Sequence, residues 1–352
     1  MNTLFSPLQL GALHLQNRIV MAPMTRNRAD PDGCANDLMV QYYGQRGEAG
    51  LVVAEGTWPS AQGQAYCRQP GVVNEAHVQA WKPVCAAVHA RGGLFALQIM
   101  HGGRIGSVHI KGAGSRSVAP SALQAQGEVF TDSSGMQAYD LPEELSTAEV
   151  QAVIAEHGAA AGRAREAGFD AVELHCTSGY LPMQFLCSGT NLRTDAYGGN
   201  ALARSCFALA CLQSMGAAIG IDRVGLRINP GNTFNNTSDE NSAATHATLL
   251  RLAAPLGLAY VHVMRAPTPE IDAFAMAAQV LPDRLILNDG FGPDTCEPAL
   301  AQYPGAALSF ARHFVGNPDL VQRLRKGLPL ARFDRKTLYT PGSAGYTDYP
   351  LV

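Results

Sequence analysis

The chain has 352 residues, of which 47% are hydrophobic and 16% charged, so it can bury a large core. Its formal net charge of -3 and the absence of long basic runs argue against nucleic acid or a membrane surface as the main partner. The N-terminal segment has no basic stretch followed by a long apolar run, and no stretch approaches the ~20 apolar residues of a membrane span. These features favour a cytoplasmic protein that acts on small molecules, and they leave both a monomer and a homodimer open.

The first predicted element is a small hairpin over residues 8–15, LQLGALHL, which we expect at the bottom of the fold. Apolar or β-branched runs then alternate with longer helical patterns. The predicted strands cover residues 18–22, 50–54, 94–99, 170–175, 224–228, 260–263, 284–287 and 306–310. The predicted helices include residues 74–90, 147–167, 201–216, 242–254 and 295–301. This alternation predicts an α/β fold, a single (β/α)8 TIM barrel that forms one domain over residues 1–352.

The longest stretch without this alternation covers residues 102–145 and is rich in Gly, Ser, Ala and Gln. It follows the third barrel strand, so it would lie at the C-terminal mouth of the barrel. Long connections in compact domains are usually functional or loosely ordered. The sequence leaves a lid and a mobile surface excursion open.

Polar residues at strand ends are the candidates for chemistry, because the ends of parallel barrel strands meet at one face. The fourth predicted strand ends in His175, and Tyr180 follows five residues later in FDAVELHCTSGY. Other residues at or just after strand ends are Thr25, Glu55, Gly56, Gln98 and Arg227, followed by Asn288-Asp289-Gly290 and Ala311-Arg312. The last two groups suit a phosphate site built from backbone N–H groups and a positive charge. The pattern therefore predicts one ligand that spans the mouth with a phosphate at one end.

The eight cysteines include no CxxC pair and no Cys/His ligand spacing. In a cytosolic protein this predicts reduced thiols, with no disulfide and no bound metal. The glycines of HGGRIG do not form the fingerprint of a dinucleotide site, because no GxGxxG opens a helix after the first strand.

Several segments in this order resemble the Old Yellow Enzyme family of flavin-dependent ene reductases, in particular its bacterial branch. They are LFSPLQLGALHLQNRIVMAPMTRNR, YYGQRGEAGLVVAEGT, FALQIMHGGRI, AREAGFDAVELHCTSGYLPMQFL, NLRTDAYGG, LRINPGNTF, FVGNPDLVQRL and GYTDYP. The resemblance runs nearly end to end. It implies a noncovalent FMN across the barrel mouth and NAD(P)H as a transient reductant.

The resemblance also implies roles for single residues around FMN. Pro23, Met24 and Thr25 would meet the isoalloxazine, where the Thr25 hydroxyl would bond the flavin O4, and Gly56 would lie at the same cofactor site. Gln98 and Arg227 would face the pyrimidine edge, where a fixed positive charge stabilises the reduced flavin. The phosphate end would be formed by Asp289, Gly290, Ala311 and Arg312, with Arg312 paired to the phosphate.

For the substrate, the resemblance implies that His175 donates a hydrogen bond to a carbonyl or nitro oxygen. Tyr180 would then supply a proton to the α-carbon as general acid, opposite the face that receives hydride. Tyr66 and Tyr339 would line the substrate pocket, although ordinary packing tyrosines would have the same pattern.

The chain departs from the family pattern at four positions, one of which is Ala311, where glycine is usual beside the phosphate. Ser178 stands where a second His or Asn donor is usual, which places the substrate anchor in question. Met100 replaces the common tryptophan, which would open the pocket, or it is simply core packing. Asp289 replaces a glycine, and its carboxylate would repel a phosphate unless it turned away.

The leading hypothesis is therefore an FMN-dependent ene reductase, which uses NAD(P)H in a ping-pong cycle to reduce the C=C bond of enones, enals, maleimides or nitroalkenes. A member specialised for nitroester reduction or pathway isomerisation is an alternative. So is a flavin-binding protein with little turnover. A phosphate-binding aldolase is disfavoured, since no lysine lies at a plausible strand end.

Overall fold

The computed structural model describes residues 3–112 and 114–352. Its first strands are the antiparallel pair β1 (Leu8–Leu10) and β2 (Leu13–Leu15). Three barrel strands follow: β3 (Ile19–Met21), β4 (Leu51–Thr57) and β5 (Leu94–Ile99). The long excursion contains β6 (Val118–Ala119), β7 (Glu128–Thr131), β8 (Gly135–Ala138) and β9 (Glu143–Glu144). The remaining barrel strands are β10 (Ala171–Cys176), β11 (Val224–Ile228), β12 (Tyr260–Met264), β13 (Leu285–Asn288) and β14 (Ala306–Phe310).

The barrel strands are parallel and close into a ring in the order β3, β4, β5, β10, β11, β12, β13 and β14, with β14 paired to β3. The helices are α1 (Asp37–Gln45), α2 (Glu75–His89), α3 (Thr147–Ala167), α4 (Leu181–Leu186), α5 (Ala201–Ile219), α6 (Ser242–Ala253), α7 (Ala273–Ala278), α8 (Cys296–Gln302), α9 (Arg312–Gly316) and α10 (Leu320–Lys326). The predicted TIM barrel is confirmed, and each predicted strand is present with bounds shifted by three residues or fewer.

Capping residues determine where the long helices before the site begin and end. Helix α3 begins after Ser146, whose hydroxyl accepts from the Glu149 backbone while the Glu149 carboxylate accepts from the Ser146 backbone N–H. It ends at Gly168, where φ is 106°, a left-handed conformation that favours glycine. The chain therefore turns directly from α3 into β10, whose C-terminal end carries His175.

The interior of the barrel changes from apolar at the bottom to polar near the mouth. The apolar floor consists of Leu10, Leu13, Leu15, Val20, Leu51, Val53, Ala96, Ala171, Ala259, Tyr260, Ile286 and Ala307. The β1–β2 hairpin is fastened there, because the Ala12 backbone N–H donates to the Asp222 carbonyl at 2.9 Å. The hairpin thus closes the N-terminal end of the barrel, as predicted. Above the floor lie the buried polar side chains of Gln98, Glu173, Arg227, His262, Asn288 and Ser309.

The excursion after β5 packs its inner side chains against the site. Its two sheets pair β6 with β9 and β7 with β8. Ala125, Val129 and Tyr139 of this segment form one buried cluster with Met100 and Tyr180. The structure therefore places part of the excursion directly over Tyr180.

Helix α5 is long and apolar enough to cross a membrane by length and composition, which the sequence-based expectation missed. In this fold it is an outer barrel helix that contacts α3, α4 and α6. Its side chains Phe207, Ala208 and Cys211 are fully buried against these neighbours.

Candidate active site

A cleft of about 1170 Å³ opens at the C-terminal end of the barrel. The predicted site residues that line it are Pro23, Gln98, His175, Ser178, Arg227, Asp289, Gly290, Ala311 and Arg312. A second cavity of about 380 Å³ is lined by Met24, Thr25 and Tyr339 and shares Ala311 and Arg312 with the first. Most of the predicted constellation is therefore brought together at one mouth.

Five candidate residues are absent from the lining of both cavities within residues 3–112 and 114–352: Glu55, Gly56, Tyr66, Met100 and Tyr180. Gly56 and Met100 lie against each other, since a Cβ on Gly56 would come within 2.5 Å of the Met100 sulfur. Met100 is 1% exposed. Both residues thus form the wall behind the site.

Gln98 and Arg227 belong to a buried polar network that sequence reasoning missed. Glu173 Oε1 accepts from Gln98 Nε2 at 2.8 Å, and Glu173 Oε2 lies 2.8 Å from His262 Nδ1. Arg227 Nη1 approaches His262 Nε2 at 2.6 Å, and Arg227 Nη2 donates to Asn288 Oδ1 at 2.8 Å. Glu173 could have been identified from the sequence, because it lies two residues before His175 and its side chain therefore points to the same face of the strand.

Charges in this network decide the protonation states at the bottom of the cleft. Burial would raise the pKa of Glu173, but His262 and then Arg227 hold it below its usual range. Burial and the neighbouring Arg227 charge lower the pKa of His262 to about 4. At neutral pH the layer therefore contains a carboxylate, a guanidinium and a neutral imidazole.

His175 stands at the rim of this layer and is a neutral hydrogen-bonding group. Burial, followed by the Arg227 charge, lowers its pKa to about 3. Its Nδ1 lies 3.4 Å from Thr177 Oγ1. A threonine hydroxyl that donates to Nδ1 leaves the proton on Nε2, so His175 can donate into the cleft without carrying charge.

Tyr180 lies beside His175, with ring centroids 4.9 Å apart. Its hydroxyl is 2.8 Å from the hydroxyl of Tyr66, which brings two predicted residues together. Burial raises the pKa of Tyr180 far above its usual range, while the bonds from Tyr66 and the Asn235 amide act in the opposite direction. Tyr180 is therefore protonated at neutral pH, and the Tyr66 hydroxyl is placed to donate a hydrogen bond to its oxygen.

Asn235 is a further site residue that sequence reasoning missed, because it lies in a loop without periodicity. Its Nδ2 donates to the Ser178 carbonyl at 2.8 Å, and both residues have a positive φ, 59° and 56°. The Ser178 hydroxyl itself lies 2.8 Å from Thr177 Oγ1. Ser178 lines the cleft as predicted, but its hydroxyl already has a partner in the protein.

The outer end of the cleft contains the predicted phosphate residues. Asp289 has φ of 83° and Gly290 φ of 81°, so the backbone here takes the conformation that glycine prefers. The Asp289 carboxylate forms an ion pair with Arg312, with Oδ1 and Nη2 3.2 Å apart. Asp289 therefore turns toward the cation that was predicted to hold the phosphate.

Comparisons with known proteins identify the family of this chain. The model of the NADH:flavin oxidoreductase / NADH oxidase family matches residues 3–331. A probable flavin mononucleotide-dependent alkene reductase of Leishmania infantum is 35% identical over 100% of this chain and 98% of that protein.

Solved structures give the same result. Morphinone reductase in complex with tetrahydroNAD superposes with a TM-score of 0.94 at 38% identity, covering 99% of this chain and 97% of that one. The old yellow enzyme homologue from Zymomonas mobilis has a TM-score of 0.95 at 34% identity, covering 99% and 100% of the two chains.

The chain belongs to the NADH:flavin oxidoreductase / NADH oxidase family. Within that family it is an Old Yellow Enzyme, an NAD(P)H-dependent flavin oxidoreductase with FMN as its cofactor.

Proposed function

We propose that the protein is an ene reductase that uses NAD(P)H to reduce the activated C=C bond of α,β-unsaturated carbonyl, maleimide or nitro compounds. The observation that carries this proposal is the contact between His175, which lines the cleft, and Tyr180 beside it, a neutral hydrogen-bond donor next to a protonated phenol. The sequence relationship to an alkene reductase supports it.

The residues of the cleft fit FMN. At its inner end Gln98 and Arg227 combine an amide oxygen with a guanidinium, which suits the imide and carbonyl groups of a pyrimidinedione. At its outer end Gly290 and Arg312 provide an open backbone and a positive charge for a phosphate. Pro23, Met24, Thr25 and Ala311 complete the predicted cofactor contacts along the cleft and the neighbouring cavity.

When bound, FMN supplies the hydride relay between the nicotinamide and the alkene. His175 Nε2–H donates to the carbonyl or nitro oxygen of the substrate and so draws electrons away from the double bond. Tyr180 gives its proton to the α-carbon, and the Tyr66 hydroxyl stabilises the resulting phenolate by donating to it. Tyr339, on the C-terminal segment, borders the pocket from the other side.

Reduction is favoured over passive flavin binding because Tyr66 and Tyr180 form a buried donor pair that a storage protein would not need. The relationship to an alkene reductase favours reduction of a C=C bond over nitroester reduction or isomerisation by the same site. The single-domain organisation over residues 1–352, cytoplasmic location and a monomeric or homodimeric state stay predictions, as does the view that neither nucleic acid nor a membrane is a partner.

The test separates the two halves of the reaction. We expect FMN in the purified protein to be reduced anaerobically by NADPH or NADH and reoxidised by cyclohexenone or a maleimide. In Tyr180→Phe, the rate of flavin reduction by the nicotinamide should stay within about twofold of the wild-type rate. The rate of flavin reoxidation by the alkene should fall by about 100-fold, as expected for loss of a general acid. Stopped-flow absorbance of the flavin measures both rates.

Tyr139→Phe is the matched control, since Tyr139 is a second tyrosine of the same buried cluster that makes no contact with His175 among the described residues. Its two half-reactions should both remain near the wild-type rates. Equal slowing of both half-reactions in Tyr180→Phe would exclude the role of Tyr180, and a protein that cannot take up FMN would exclude the function.

A further inference from the structure

Glu173 is fully buried beneath the cleft and does not line it. It lies on β10 in register with Gln98 on β5, so both side chains point into the barrel at the same level. Gln98 Nε2 donates to Glu173 Oε1 at 2.8 Å. A carboxylate can only accept hydrogen bonds, so this contact determines which end of the Gln98 amide points inward.

Gln98 consequently presents its oxygen to the cleft. The side chain is 2% exposed and lines the cleft, and within residues 3–112 and 114–352 its Oε1 has no hydrogen-bond donor. The inner end of the cleft therefore offers the Gln98 oxygen as a fixed acceptor. A ligand group that suits it is an N–H, and a carbonyl oxygen would be repelled.

The other carboxylate oxygen of Glu173 holds Arg227 through His262. Glu173 Oε2 accepts from His262 Nδ1 at 2.8 Å, so the proton is on Nδ1 and Nε2, which also lies 2.7 Å from the Ser309 hydroxyl, is an acceptor. Arg227 Nη1 donates to that Nε2 at 2.6 Å. One carboxylate thus determines the amide orientation of Gln98 and the position of the Arg227 guanidinium, and it balances the Arg227 charge.

We propose that Glu173 is a positioning residue that sets cofactor recognition: through Gln98 and His262 it makes the cleft select the imide N–H of a flavin, with a cation beside it. This inference rests on the proposed FMN-dependent function and adds to it the residue that decides the polarity of the cleft. Glu173 itself touches neither cofactor nor substrate.

The test compares binding of FMN and of 3-methyl-FMN, in which the imide N–H is replaced by N–CH3, to the protein freed of flavin. Quenching of flavin fluorescence measures both affinities. The wild type should prefer FMN by at least about 10-fold, because the methyl group removes a donor and leaves Gln98 Oε1 buried without a partner. In Glu173→Gln the amide at 173 can donate or accept, so Gln98 is free to turn and the preference should fall to about twofold.

The reduction potential of bound FMN gives an independent readout. Removal of the carboxylate leaves the Arg227 charge unbalanced, so the potential in Glu173→Gln should become more positive than in the wild type. Glu55→Gln is the matched control: Glu55 is another fully buried carboxylate near the barrel mouth, but it is bonded by the Tyr43 hydroxyl and the Arg26 backbone N–H. The Glu55→Gln variant should keep the wild-type preference for FMN over 3-methyl-FMN.

Gln98→Met tests the same point if Glu173→Gln does not fold, because it removes the acceptor and leaves the contacts of Glu173 with His262 and of His262 with Arg227 intact. It should abolish the preference for FMN over 3-methyl-FMN. An unchanged preference in Glu173→Gln, or equal binding of the two flavins by the wild type, would overturn the positioning role while leaving the ene reductase function in place. Failure of the wild type to bind FMN at all would overturn both.

Discussion

The hydroxyl of Ser178 lies 2.8 Å from Thr177 Oγ1, and its backbone has a φ of 56°. Asparagine tolerates this left-handed conformation better than most residues, and its amide reaches further into the cleft. We therefore expect Ser178→Asn to bind a phenol ligand such as 4-hydroxybenzaldehyde about 5-fold more tightly, the value of one added hydrogen bond. Titration of the flavin absorbance measures the affinity.

Ser178→Ala is the control for this substitution, because it removes the hydroxyl without adding a donor. Its affinity for the phenol should differ from that of the wild type by less than about twofold, since the Ser178 hydroxyl is already engaged by Thr177. If the asparagine variant bound the phenol no better than the alanine variant, position 178 would have no part in anchoring the substrate oxygen.

Asp289 combines two unfavourable features at the outer end of the cleft. Its φ of 83° strains a side chain that has a Cβ, and its carboxylate pairs with Arg312. In Asp289→Gly we expect FMN to bind about 10-fold more tightly, because Arg312 is released and the backbone is relaxed. Riboflavin, which lacks the phosphate, should gain less than about threefold.

Two further variants separate the two causes of the tighter FMN binding, the loss of the pairing with Arg312 and the relief of backbone strain. Asp289→Asn keeps the side chain and removes the charge, so it should give most of the gain for FMN. Asp294→Asn removes another carboxylate that borders the cleft but makes no ion pair among the described residues. A gain for riboflavin as large as that for FMN would show that backbone strain, and not the Arg312 pairing, limits flavin binding.

At the scale of elements, the C-terminal segment is held over the barrel mouth by the residues that follow β3. Arg28 donates to the carbonyls of Thr337, Leu338 and Ala344 at 2.7 to 3.0 Å. Its guanidinium also lies 4.7 Å from the ring centroid of Tyr346, which is fully buried. Tyr339, which lines the second cavity, is carried on this segment, so Arg28 determines the position of one wall of that cavity.

In Arg28→Ala we expect the free energy of unfolding to fall by roughly 3 kcal/mol, because several partly buried carbonyls lose a charged donor. Chemical denaturation measures this loss. Limited trypsin digestion should also cleave the segment faster, at the exposed Arg332 and Arg335. Arg28→Lys keeps the charge but cannot bond several carbonyls at once, so it should be intermediate. Unchanged digestion in the alanine variant would mean that the arginine does not hold the segment.

At the scale of the whole molecule, the barrel was predictable because each of its strands is a short, buried apolar run. The helices α1, α4, α7, α9 and α10 were not predicted, since each has nine residues or fewer and offers too few turns for a clear period. His175 and Tyr180 could be predicted because they are near each other in the sequence.

Contacts between distant parts of the chain could not be predicted. Glu173 and His262 are 89 residues apart, and Arg28 and Ala344 are 316 apart. The local sequence around Glu173 does not indicate that its side chain will contact His262 inside the closed barrel. Such pairs follow from strand order and register, which become visible only once the fold is known.

Buried histidines also determine how the stability of the whole molecule depends on pH. Burial lowers the pKa of His157 and His262 to about 4 and that of His175 to about 3, below their value of 6.5 in the unfolded chain. These imidazoles stay neutral in the folded state, whereas in the unfolded chain they take up protons below pH 6.5. Their contribution to the free energy of unfolding is therefore fully present above pH 6.5 and is lost as the pH falls. Each buried histidine lowers the free energy of unfolding by about 1.4 kcal/mol per pH unit between about pH 6.5 and 4.

We expect the free energy of unfolding to decrease steeply over this window, although the raised pKa values of Glu55 and Glu156 act in the opposite direction.

The contribution of one histidine can be isolated at His157, whose Nδ1 donates to the Val153 carbonyl at 2.7 Å and whose Nε2 has no partner among the described residues. In His157→Gln the amide can keep that bond but cannot bind the extra proton. The slope of stability against pH should therefore flatten by about 1.4 kcal/mol per pH unit. Urea unfolding at pH 7, 6, 5 and 4.5 measures the slope, with the exposed His14→Gln as control; identical slopes for wild type and His157→Gln would show that His157 does not resist protonation.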